Sequence, residues 1–174
     1  MNKNTNNYNT NNSINLIDRC GSIIPYWLPL LEGLQNFGQQ ILPDYPFSLM
    51  SLYKKTLMPF VIIYVTNPAW AFIIFFILYY LFVRPKSPIP NRPFIRFNVL
   101  QSILLFLINS LLGATFRALP IEFRTSLYGL MLCNTLFWFV LLTIIYSVIK
   151  SLEGKYAKIP VISQAVRIQI DNQQ

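Results

Sequence analysis

FNVLQSILLFLINSLLGATF, residues 97–116, decides how this chain is built. It is apolar, free of charge and as long as a membrane-crossing helix, which needs roughly 20 residues to cover about 30 Å of hydrocarbon. Its polar members, Asn98, Gln101, Ser102 and Asn109, fall on one side of a helical wheel. On the C-terminal side a second such run follows, SLYGLMLCNTLFWFVLLTIIYSVI at 126–149. On the N-terminal side lies AWAFIIFFILYYLFV at 69–83. This run is short for a span. Pro68 can occupy its first turn and Arg84 can snorkel at its end, giving a segment at 68–84. Trp70, Tyr79 and Tyr80 suit the membrane–water interface.

A fourth candidate, GSIIPYWLPLLEGLQNFGQQIL at 21–42, is long enough but carries a polar stripe. At 100° per residue Glu32, Gln35, Asn36 and Gln39 share one face. Unsatisfied polar groups in hydrocarbon cost several kcal/mol. The stripe is therefore expected to face other helices, water or headgroups. Between 21–42 and 68–84, Lys54 and Lys55 sit near the middle of residues 47–66. Each would cost about 2.5–3.5 kcal/mol at a helix centre. The expectation is an interfacial amphipathic helix at 47–56 and a short apolar segment at 57–66 that leads into the next span.

The chain is thus expected to be all-α: a multi-pass membrane protein with four transmembrane helices plus short interfacial amphipathic helices. Composition agrees, with 54% hydrophobic and 11% charged residues. A soluble domain carries about 25% charged residues. The chain has no His, which excludes His-based acid–base catalysis and His metal sites. Cys20 and Cys133 are too far apart in the chain for a CxxC motif. No nucleotide loop or nucleophile–base pair occurs. No catalytic residue, cofactor or metal is expected.

Three regions complete the map. Residues 1–20 read as a disordered polar arm rich in Asn. RPKSPIPNRP at 84–93 is expected to be extended. Residues 150–174 read as a basic amphipathic tail, with Ile162, Val166 and Ile170 at helical spacing. The tail is expected to associate with the membrane surface or to dock a partner. The net charge of +8 is read as a topology signal and implies no nucleic-acid partner. With four spans, the side holding both termini has ten Lys and Arg against four on the other. Positive charge stays on the side from which insertion occurs.

The polar faces of 21–42 and 97–116 can form a groove between two helices, either a polar path or a hydrogen-bonded seam. Glu32 is the sharpest candidate, because an ionisable side chain inside a span marks a functional site by default. Its alternatives are a membrane-edge position or pairing with Arg96 or Arg117. Asn134 and its neighbours read as packing.

PYWLPLLEGL (25–34), FIRFNVLQSILL (94–105) and GKYAKIPVISQAVRIQI (154–170) resemble signature blocks of one family. This is the twenty-kilodalton subunit family of the protein translocon at the inner envelope of chloroplasts, of the plastid-encoded or cyanobacterial type. The resemblance marks Pro25, Tyr26, Pro29 and Leu30, then Arg96, Asn98 and Gln101, then Pro160 and Ser163. It implies a non-enzymatic four-helix subunit of the inner envelope with both termini in the stroma, bordering the path of preproteins. It implies other translocon subunits, preproteins in transit and membrane lipid as partners. Four helices enclose little room, so a conducting path calls for a homo-oligomer or partner proteins. The alternatives are a structural scaffold subunit and a small-solute transporter, for which inverted repeats are missing.

Overall fold

The computed structural model describes residues 14–45, 49–84 and 92–171. Most of the Asn-rich arm and of the Pro-rich loop lies outside these residues. Among the described residues every regular element is helical.

The two long runs of apolar sequence form the two long helices. α7, Pro93–Ala118, starts on a proline, whose missing N–H is not needed in a first turn. α9, Leu127–Leu152, is capped at its start by the Ser126 hydroxyl, which accepts from the Gly129 N–H at 3.3 Å. It ends at Gly154, whose φ of +71° closes the helix through bonds from Gly154 N–H to Ser151 O and from Lys155 N–H to Lys150 O. Each has 26 residues, about 39 Å of helix, and each is apolar enough to cross a membrane. A short helix, α8 (Ile121–Thr125), joins them. More than half of α7's apolar window is buried inside the protein, against 28% for α9. α7 is therefore the internal helix, and α9 turns most of its surface to lipid.

The segment at 24–44 lies between these two helices. It is not one regular helix. A 3-10 turn (Ile24–Tyr26) leads into α2 (Trp27–Gly33), then a π-helical turn (Leu34–Gly38), α3 (Gln39–Ile41) and a second 3-10 turn (Leu42–Asp44). α2 packs against both α7 and α9. Gly33 makes the approach to α9 possible, since a Cβ there would lie 2.6 Å from Val140 Cγ1.

α4 (Leu49–Thr56) and α5 (Met58–Thr66) follow. α4 buries Tyr53 and exposes Lys54 and Lys55, the amphipathic pattern expected there. α5 meets α6 (Ala69–Leu78) and its π-helical extension (Tyr79–Val83) at 98° across Asn67 and Pro68. Residues 69–83 alone reach about 22 Å, short of the hydrocarbon thickness. The pair is a broken span or a re-entrant loop. The expected segment at 68–84 is thus half of a bent unit. Two helices are individually long and apolar enough to cross, and the bent pair adds a third if it is one span; the expected span at 21–42, broken into short helical pieces, is not among them.

Two expectations change at the ends. The polar arm was expected to extend to residue 20, but α1 occupies Leu16–Gly21. It is held by polar contacts rather than burial. Asp18 pairs with Arg92 at 2.5 Å, and Arg19 donates to Leu152 O at 3.3 Å. The tail helix α10 (Ile162–Asp171) docks onto α7 and buries Ile162, Val166 and Ile170. Ahead of it, Tyr156 packs edge-on against Phe94 and Phe97, and burial pushes its phenol up. The tail's inner face is therefore occupied by its own chain. α1 and α10 both contact α7, and α1 also touches the end of α9, so the described N- and C-terminal segments share one end of the bundle.

Large apolar side chains on α5, α6 and α9 point outward, among them Ile63, Phe72, Phe76, Leu132 and Phe139. This is the pattern of helices solvated by lipid.

Candidate functional site

Two polar clusters lie along the seam between residues 24–44 and α7. The first is centred on Asn98, which is fully buried. Its Oδ1 accepts from the Tyr26 hydroxyl at 3.0 Å and the Ser151 hydroxyl at 2.8 Å, and its Nδ2 donates to Phe94 O at 2.9 Å. One turn on, Gln101 Nε2 donates to Ser147 Oγ at 3.4 Å. These bonds join three elements: the 3-10 turn before α2, then α7, then α9.

The second cluster is centred on Glu32, buried at 7% exposure. Its Oε1 accepts from Ser110 Oγ at 2.7 Å and from Asn36 Nδ2 at 3.0 Å. Its Oε2 accepts from the Tyr64 hydroxyl at 2.6 Å. Asn36 Nδ2 also donates to Asn109 O at 3.2 Å, and its Oδ1 accepts from Arg117. Asn36 thus stands between carboxylate and guanidinium with its amide dipole aligned to both. Among the described residues Glu32 makes no direct ion pair. Of its two expected cationic partners, Arg117 reaches it through Asn36, and Arg96 instead donates to Val83 O at 3.4 Å. Gly113 admits this arrangement, because a Cβ there would lie 2.3 Å from Asn36 Cγ.

The expected stripe of 21–42 is split. Glu32 and Asn36 are buried, Gln35 is half-buried and Gln39 is exposed. The π-helical turn at Leu34–Gly38 explains the split: it widens the helix by one residue and rotates the residues beyond it. Gln39 leaves the face, and Gln40 takes an inward position from which it donates to Arg124 O at 3.1 Å. On α7 the four expected residues are all buried. Asn109 Nδ2 donates across the seam to Pro29 O at 3.1 Å. Ser102 does not reach across; its hydroxyl bonds Val99 O within α7. Gln101 Oε1 and Asn109 Oδ1 are buried without a hydrogen-bond partner among the described residues.

The other marked positions serve local structure. Pro25, Tyr26 and Pro29 are buried and Leu30 is half-buried against the core. Ser163 accepts from Ile159 N–H at 2.7 Å and donates to Ala157 O at 2.9 Å, closing the turn before α10, while Pro160 is exposed. Asn134, read as packing, accepts from the Tyr45 hydroxyl at 2.6 Å and pins the end of the first segment to α9.

Sequence reasoning missed Tyr64, Ser110, Ser147 and Ser151. The last two had a visible signal. Cys133, Ser147 and Ser151 share the face of α9 that buries Phe137, Val140 and Ile144, so the last span does present a polar inner stripe.

Comparison with known proteins identifies the family. The family described as "Chloroplast import apparatus Tic20-like" matches residues 9–166. A "Tic20 family protein Ycf60" of Gracilaria tenuistipitata var. liui is 85% identical over 162 residues, covering 93% of this chain and 79% of that one. Proteins of the same name from Porphyra purpurea and Pyropia yezoensis are 58% and 57% identical over 167 and 170 residues. These cover 96% and 98% of this chain, and 82% and 83% of the relatives. The family is one of import components rather than of enzymes. The chain belongs to the Tic20 family, which is associated with protein import into chloroplasts.

Proposed function

We propose that this chain is a membrane subunit of the plastid inner-envelope import translocon, and that its seam between residues 24–44 and α7 borders the path of preproteins. The observation that carries this reading is the concentration of buried polar groups in that seam. Glu32, Asn36, Asn98, Gln101 and Asn109 are all under 10% exposed, inside a bundle whose outer surface is apolar. Helix packing in a membrane needs little of this, since an interhelical hydrogen bond contributes only about 0.6 kcal/mol on average. A translocating chain presents many sequences, and a face made mostly of amides and hydroxyls offers it weak exchangeable contacts. In this reading the broken helix at 24–44 and the bent α5–α6 pair each count as a span, and four spans place both termini in the stroma, as the ten-to-four distribution of Lys and Arg suggests. Other translocon subunits or further copies of this chain complete the enclosure.

A scaffold role is the second reading. It is favoured by the closure of the seam, where most of these groups are bonded to one another. A photo-crosslinking residue at position 35, at the edge of the seam, or at position 101, sealed within it, separates the two. Plastids would hold a preprotein arrested halfway through import. Crosslinks to the arrested chain that vanish when import is completed are expected. Crosslinks only to neighbouring subunits, unchanged by the arrest, would leave the scaffold reading.

A further inference from the structure

We propose that the outer face of α10, together with the turn before it, binds anionic lipid headgroups. The inner face is already used, with Ile162, Val166 and Ile170 buried against the bundle. Ile168 points to the opposite side of the helix and is 61% exposed. Val161, one residue before α10, is 76% exposed and has a φ of +67°. That conformation is strained for a β-branched residue, and here it closes a tight turn in which Ile162 N–H donates to Pro160 O at 2.7 Å. Glycine would make the same turn without strain, and what the valine adds is an apolar side chain held outward.

The depth of this turn comes from α9. Lys158 N–H donates to the Tyr146 hydroxyl at 3.3 Å. Tyr146 lies six residues before the end of α9, about 9 Å back along the helix. The chain has therefore folded back beside α9 to the level of Tyr146, a residue type that favours the membrane–water interface. There Val161 and Ile168 meet the headgroup–acyl boundary. Lys158 and Arg167 are exposed beside them, and neither makes an ion pair among the described residues. Two acids at this end are engaged elsewhere: Glu153 by Lys150 and Lys155, Asp18 by Arg92. Two apolar side chains that enter the boundary, flanked by two exposed cations, suit a lipid with a negative headgroup. This assignment does not depend on whether the polar seam opens.

The test uses the full chain in nanodiscs, with Cys20→Ser and a polarity-sensitive fluorophore on Val161→Cys; Cys133 is buried. Discs contain phosphatidylcholine alone or mixed with phosphatidylglycerol. We expect emission to shift to the blue in the mixed discs, with quenching by brominated acyl chains. Lys158→Gln with Arg167→Gln should return emission to the phosphatidylcholine value. Native mass spectrometry should show fewer retained phosphatidylglycerol molecules on the double variant, with its unfolding midpoint unchanged. The same emission in both discs, or lipid retention indifferent to the double substitution, would overturn the proposal. So would water-like emission in both discs that shifts only in whole envelope membranes, because the occupant would then be a protein.

Discussion

Glu32 is the residue on which the second cluster turns. Three donors, from Tyr64, Ser110 and Asn36, converge on its carboxylate. Replacing it with Leu strands the Tyr64 and Ser110 hydroxyls, while Asn36 keeps its bond to Asn109 O, and each orphaned group costs about 1–3 kcal/mol. We expect Glu32→Leu to lower stability by more than about 2 kcal/mol and Glu32→Gln by less, read as unfolding midpoints in nanodiscs. A Leu variant as stable as the wild type would show that the cluster is not closed. Val161 is the opposite case. Its positive φ stores about 1–3 kcal/mol, and glycine gives back about 0.5–1 kcal/mol in unfolded-state entropy. Val161→Gly should therefore raise stability by about 1 kcal/mol; an unchanged or lowered midpoint would contradict the strain. At this scale Glu32, Asn36, Asn98, Gln101 and Asn109 were legible as buried polar groups, because hydrocarbon allows a polar residue few other positions. Their partners were less so. Tyr64 lies in a segment whose path depends on the bend at Asn67 and Pro68, and nothing local to its sequence marks it as a ligand for Glu32.

Among the elements, α7 and α9 could be read almost to their ends, since an uninterrupted apolar run that fits the hydrocarbon thickness has one helical solution. Residues 24–44 could not. Pro25, Pro29 and Pro43, with the packing against α7 and α9, break them into short helical pieces, and the π-helical turn resets the face that regular periodicity assigned. Close helix approach has its own test. Gly113→Ala would drive a Cβ into Asn36, while Gly21→Ala meets nothing nearer than Ile95 Cδ1 at 3.6 Å. The first should cost about 1–3 kcal/mol as an overpacked contact, and the second should leave the midpoint unchanged. Equal effects would mean that Asn36 is not held against α7. α10 was read correctly as amphipathic, but its partner is α7, and periodicity alone does not say what a face packs against.

For the whole molecule, the arrangement of elements carries the argument. α1, the start of α7, the end of α9 and α10 gather at one end with Arg19, Arg92, Lys150, Lys155 and Arg167. Tags placed after residue 13 and at residue 171 should be digested from the same side of sealed vesicles, and digestion from opposite sides would contradict the packing of α1 on α9. Between the ends, residues 24–44 are wedged between α7 and α9, and the bent α5–α6 unit covers them through Tyr64, Ala71, Leu28 and Phe106. If the seam borders the preprotein path as proposed, it must part during import. Gly113 and Asn36 allow a direct test, because a Cβ at 113 falls against the Asn36 side chain, and replacing both with Cys removes the overlap and brings two thiols within reach. In plastids carrying Asn36→Cys with Gly113→Cys in a Cys20→Ser background, we predict that oxidation stops preprotein import and that reductant restores it. Import at an undiminished rate through the fully oxidised protein would contradict the account.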